Sequence, residues 1–241
     1  SKSASPMEPN VMAAEAPRRI EAAGHSTWGS RFVAITDAKT ALHQRALAEH
    51  FRDIFVNPAD IGGRYSALSY SGIVPAALMG ADLDRLLAGA RAMADACHAP
   101  DPRVNPGLAL GALMAGAAEA GRDKLTLVMS PSLASFGLWV EQLVAESTGK
   151  QGKGIVPIAG EASSARYGND RAAVVVQLGN EAPYADAIER LRGSGAPVFT
   201  IRMDDATALG AEFFRWEVAT AACGWLMHIN PFDEPNVQQA K

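Results

Sequence analysis

KLTLVMSPSLASFGLWVEQLVAESTGKQGKGIVPIAGE, residues 124–161, decides the fold. It opens with a short apolar run, Lys124–Met129, of the length and composition of a buried strand. Ala134–Ser147 then carries Leu138, Val140, Leu143 and Val144 on one side of a helix, and Gly154–Ile158 is strand-like again. Strand, helix and strand in that order predict a parallel sheet covered by helices. Outward from this unit the rhythm continues. Ala172–Leu178 and Pro197–Ile201 read as strands, Ala185–Arg192 as a helix, and Ala206–His228 as a long helix. Toward the N-terminus, Met7–Ala23 and Leu42–His50 read as helices, and Arg31–Thr36 and Phe51–Val56 as strands. Ser66–His98 reads as helix with breaks near Gly72 and Gly80, followed by a Pro100–Pro106 linker and a helix to Ala120. The reading is therefore α/β, in two related units with a boundary near residue 121, that is 1–120 and 121–241.

Composition bounds the function. The 241 residues are 48% hydrophobic and 20% charged, as in ordinary globular proteins, which excludes a disordered chain. No run of eighteen apolar residues occurs, so no membrane partner is expected. A net charge of −4 argues against a nucleic-acid partner, which usually demands a clustered basic face. The opening SKSASPMEPN lacks the charged-then-apolar order of a secretory signal, and Cys97 and Cys223 read as buried free thiols. Both point to a cytoplasmic protein.

Neither a metal nor a cofactor is expected. The five histidines show no HxH or HxxxH spacing, CxxC is absent, and so are GxxxxGK[ST] and a strand-linked GxGxxG. Three other segments carry chemistry. Ser1-Lys2-Ser3-Ala4-Ser5, ahead of a helix, could cradle an anion or be a plain cap. Gly62-Gly63-Arg64-Tyr65-Ser66 is a tight turn presenting a guanidinium, either to an oxyanion or to a surface partner. Gly160-Glu161 follows an apolar strand directly, where parallel sheets place ligand-binding groups. Its carboxylate is either a base or a solvated loop residue.

Taken in order, SKS, GGRYSALS, ESTGK with GIVPIAGE, and NPFDEPNVQQAK resemble the phosphoglucose isomerase family across the whole chain. GGRYSALSYSGIVPAALMG and SPSLASFGLWVEQL are most similar to the isomerase part of bacterial transaldolase–isomerase fusion proteins. The resemblance implies two sugar-isomerase domains, each a three-layer α/β/α sandwich with a mostly parallel sheet, the first incomplete at its N-terminus. It also implies a homodimer, a site between the domains, and a sugar phosphate as substrate. Ser1, Lys2, Ser3 and Ser5 match the loop that holds the phosphate. Arg64 matches the arginine that stabilises an enediolate, Glu161 the base that moves a proton between the first two carbons, and Lys241 the lysine that assists ring opening.

The chain departs from the family pattern at Pro6, Ala162 and Glu234, and no histidine lies between Glu161 and Asp205 to open the ring. The implied function is interconversion of glucose 6-phosphate and fructose 6-phosphate, within a longer transaldolase–isomerase chain. The alternative is a sugar-phosphate-binding module without turnover.

Overall fold

The computed structural model describes residues 7–162, 166–182 and 184–233, so Ser1, Lys2, Ser3, Ser5 and Lys241 lie outside the described residues. The chain divides into two compact units, Ser1–Ala81 and Asp82–Lys241. The expected boundary at 120/121 separates the two parallel sheets; the compact division falls earlier, because the helices following residue 82 pack with the second unit.

In the first unit, α1 (Met7–Ala22) precedes β1 (Val33–Asp37), α2 (Ala41–Ala48), β2 (Asp53–Asn57) and α3 (Tyr70–Leu78). β1 and β2 pair in parallel, Val33 opposite Asp53 and Asp37 opposite Asn57. Thr40 caps α2 by accepting from the His43 amide, and Ser69 caps α3 by accepting from the Ser71 amide. Gly72, expected to break a helix, lies inside α3. A Cβ there would overlap the Ala67 carbonyl, so the glycine lets the turn ahead of the helix fold closely against its first residues.

The second unit begins with α4 (Leu83–Ala96) and α5 (Pro106–Glu119). Buried Asn105 joins them: its Oδ1 caps α5 at the Leu108 amide, while its Nδ2 donates to the carbonyls of Cys97 and Ala99. β3 (Lys124–Met129), α6 (Ala134–Thr148), β4 (Val156–Ala159), β5 (Arg171–Leu178), α7 (Ala185–Gly193), β6 (Val198–Met203) and α8 (Leu209–Leu226) follow. All four strands are parallel, in the order β4-β3-β5-β6.

β3 and β5 are apolar almost throughout, as a sheet covered on both faces requires. On one face, Val128, Ala173 and Val175 meet Leu191 and Ile188 of α7. On the other, Gly137 of α6 leaves room for Met129 and Ala159. α8 joins that layer through Phe213, whose ring lies 4.9 Å from Trp139 and 5.7 Å from Phe136. Glycines bring α8 against its neighbours: a Cβ at Gly111 of α5 would sit 2.6 Å from the Ala219 carbonyl oxygen, and one at Gly210 would overlap the Leu86 carbonyl. Cys223 is buried and its thiol is pushed up to about 12, whereas Cys97, expected to be buried, is partly exposed.

Candidate functional site

The strand order fixes where a ligand fits. From β3 the chain moves to β4 at one edge and then returns past β3 to β5, so helices leave the carboxyl ends of β3 and β5 on opposite faces. Open parallel sheets bind ligands in the crevice such a reversal creates. A cavity of about 280 Å³ lies there, lined among others by Thr126, Ser130, Gly137, Glu161, Tyr167 and Tyr184. A larger cavity of about 660 Å³ lies elsewhere in this unit, by Glu119, Lys153 and His228, and does not include Glu161. His228 is thus not brought to the glutamate, and His25 instead faces Arg31 at 3.2 Å in the first unit.

Gly160 has a φ of +68°, a left-handed conformation that glycine adopts without strain. The turn there folds Glu161 back over the sheet instead of beyond its edge. Its Oε2 accepts from Arg171 Nη1 at 3.0 Å and from Thr126 Oγ1 at 3.4 Å. Both side chains of the ion pair are largely enclosed, Arg171 13% and Glu161 19% exposed. The guanidinium lies 5.6 Å from the centre of the Tyr167 ring. Burial, and then the Glu161 charge, hold the Tyr167 hydroxyl above its usual range. Sequence reasoning missed Arg171, because a charged residue opening a strand is commonplace.

The rim of the cavity is tied together at the carboxyl ends of β3 and β5. Ser130 Oγ accepts from the Leu178 amide and donates to the Glu181 carbonyl, each at 3.0 Å, while Ser132 donates its amide and hydroxyl to the Glu181 carboxylate.

Arg64 lies in the first unit, on a 3-10 turn (Gly63–Tyr65) between the carboxyl end of β2 and α3. It is 8% exposed. Asn57, the last residue of β2, accepts from the Tyr70 amide and donates to Ser71 Oγ, which fixes the turn's exit. Gly62 has an ordinary φ of −67°, and Cβ atoms at Gly62 or Gly63 would meet no described atom within 4 Å. Neither the backbone conformation nor the packing of the described residues demands these glycines.

Lys150 of the ESTGK segment is the second residue that sequence reasoning passed over. Its Nζ, on a side chain 4% exposed, donates to the carbonyls of Asn230 and Asp233 at 2.6 and 2.7 Å and to Asp233 Oδ1 at 2.5 Å. It therefore grips the NPFD turn that leads toward Lys241. No group of three or more His, Cys, Asp or Glu able to hold a metal occurs among the described residues. Nor is any helix among them long and apolar enough to cross a membrane.

No family model matches the chain. Curated relatives do. The glucose-6-phosphate isomerase of Pediococcus pentosaceus is 32% identical over 92% of this chain and 59% of its own length. That of Lactobacillus helveticus is 32% identical over all of this chain and 64% of its own. The chain thus spans less than two thirds of these relatives. Among solved structures, the crystal structure of a hypothetical protein from Thermus thermophilus superimposes with a TM-score of 0.87 at 26% identity, covering 100% of this chain and 68% of that one.

Proposed function

For this chain, a relative of the glucose-6-phosphate isomerases along its whole length, we propose the interconversion of glucose 6-phosphate and fructose 6-phosphate. The observation that carries the reading is Glu161. It is an enclosed carboxylate, folded back onto Thr126 and Arg171 and lining a cavity that reaches the carboxyl end of β3, in a chain whose curated relatives carry that name. Aldose–ketose exchange needs no external oxidant. A base takes the proton from the second carbon of the opened aldose, an enediolate forms, and the proton is returned to the first carbon. One carboxylate can perform both transfers, and general base catalysis of this kind contributes about 10²–10⁴-fold.

Arg64 is the cation assigned to the enediolate. A buried guanidinium at a strand's carboxyl end, behind glycines that leave open space, suits that role. Ser1, Lys2, Ser3 and Ser5 are assigned to the phosphate and Lys241 to ring opening, all on the sequence resemblance. The same resemblance supports a cytoplasmic homodimer and a longer chain that includes a transaldolase part.

The test is a coupled assay of glucose 6-phosphate formation from fructose 6-phosphate. Glu161→Gln should lower kcat at least about 10²-fold and leave substrate binding within about threefold. Unchanged turnover would remove Glu161 from the chemistry. The lack of a histidine between Glu161 and Asp205 favours a second reading, a binding module. Fructose 6-phosphate bound by the unsubstituted full-length protein with no turnover would establish it.

A further inference from the structure

We propose that Arg171 is a positioning residue that anchors one oxygen of the Glu161 carboxylate and leaves the other free to carry the proton. The inference rests on Glu161 being the base. A single carboxylate that serves two adjacent carbons has to keep one oxygen aimed at both in turn, because small misplacements of a reacting group are costly to rate. The geometry divides the two oxygens in that way. Oε2 is held by Arg171 Nη1 at 3.0 Å and faces Thr126 Oγ1 at 3.4 Å, while Arg171 Nη1 also donates to Thr126 Oγ1 at 3.0 Å, which closes a three-membered cluster. Oε1 has no partner among the described residues.

Arg171 is itself well fixed. It opens β5 opposite Lys124 of β3, its carbonyl accepts from Arg122 at 3.2 Å, and its guanidinium stacks near Tyr167. The other carboxylate near it, Asp170, approaches Nε only to 3.8 Å and is engaged by Lys124 at 3.2 Å, so it does not compete at Nη1. Residues on strands place a catalytic group more reproducibly than residues on loops. Here a loop carboxylate takes its position from two strand residues, Thr126 and Arg171.

The experiment is a double-substitution cycle in the fructose 6-phosphate assay on the full chain. Arg171→Ala should lower kcat about 10- to 100-fold with KM within about threefold, and Arg171→Lys should restore part of the loss. In the Glu161→Gln background, Arg171→Ala should cause no further loss, because the residue it positions is already gone. Thr126→Val, which keeps the shape and removes one hydroxyl, should lower kcat about three- to tenfold, and it stands in if Arg171→Ala fails to fold. Equal losses from Arg171→Ala with and without Glu161 would overturn the proposal, as would a rise in KM with kcat unchanged. Full turnover by Glu161→Gln alone would overturn the assignment of the base and this inference with it. Loss in Glu161→Gln but none in Arg171→Ala, Arg171→Lys and Thr126→Val would overturn this inference alone.

Discussion

Residues alternate in β1, with only Ala34 and Thr36 buried, and in β2 only the terminal Asn57 is enclosed. In β3 and β5, by contrast, runs of five consecutive residues are buried. The buried apolar residues tell the same story. Among the described residues of Ser1–Ala81 they are Pro17, Ala34 and Ala46, beside a half-buried cluster of Trp28, Phe32 and Phe51, while the second unit packs Val140, Leu143, Val174, Leu191, Ile201 and Trp216. Two parallel strands with so little apolar surface removed from water contribute little cohesion. Yet this thin unit is the one that buries Arg64. A guanidinium enclosed this far gives up much of its hydration, so the unit that removes least apolar surface from water also encloses a charge. Among the described residues, burial is concentrated in the second unit.

The most direct way to break that comparison is native-state hydrogen exchange. Amides of β5 should exchange at least about 10³-fold more slowly than those of β1, since local opening follows buried contact. Equal protection would mean that the two units open as one. Next in size, Gly210→Ala should destabilise the second unit by at least about 3 kcal/mol in urea unfolding, because its Cβ has no room beside the Leu86 carbonyl.

A smaller effect concerns pH. Glu217 and Glu212 on α8 are desolvated, which raises their carboxyls from 4.5 to about 8 and about 7, with Arg215 partly opposing the shift at Glu212. The folded chain therefore keeps protons that the unfolded chain has released. Their contribution to stability is full below about pH 4.5 and is lost as pH rises through 7 and 8. The unfolding free energy of the second unit in urea should fall between pH 5 and 8.5 by at least about 1 kcal/mol, and Glu217→Gln should flatten the slope. A stability independent of pH would show that these carboxyls are solvated. Least of all, Gly63→Ala should change stability by no more than about 0.5 kcal/mol while raising the KM for fructose 6-phosphate. A large loss of stability there would show that the glycine serves the turn itself.

The strands were legible in the sequence wherever burial is two-sided. Lys124–Met129 and Ala172–Leu178 are short, apolar and flanked by turn residues, and the structure places strands over the same stretches. Legibility ended where a glycine's reason is packing. Gly72 looked like a break, yet its constraint is the Ala67 carbonyl in the turn just ahead of α3, and that of Gly210 is the Leu86 carbonyl, far away in sequence. Strand order was also beyond reach, because alternation fixes parallel pairing but not which edge each strand joins. Glu161 was singled out by its place after a strand, and the structure encloses it beside a cavity of the second unit. Arg64 was singled out by its paired glycines, and the structure buries it in the first unit. Arg171 and Lys150 were not singled out, since each acts through partners distant in sequence, ten residues away for Glu161 and eighty for Asn230.

The grip of Lys150 on the Asn230–Asp233 turn has a kinetic consequence. It closes a loop of eighty residues that contains β4, β5, α7, β6 and α8. Closing so long a loop costs chain entropy before any contact offsets it, so such a link forms late, after the sheet has assembled. An interaction absent from the folding transition state leaves the folding rate almost untouched and acts on the rate of escape from the native state. Lys150 is therefore a latch on the second unit. Without it the chain would reach the same structure at nearly the same speed and leave it sooner.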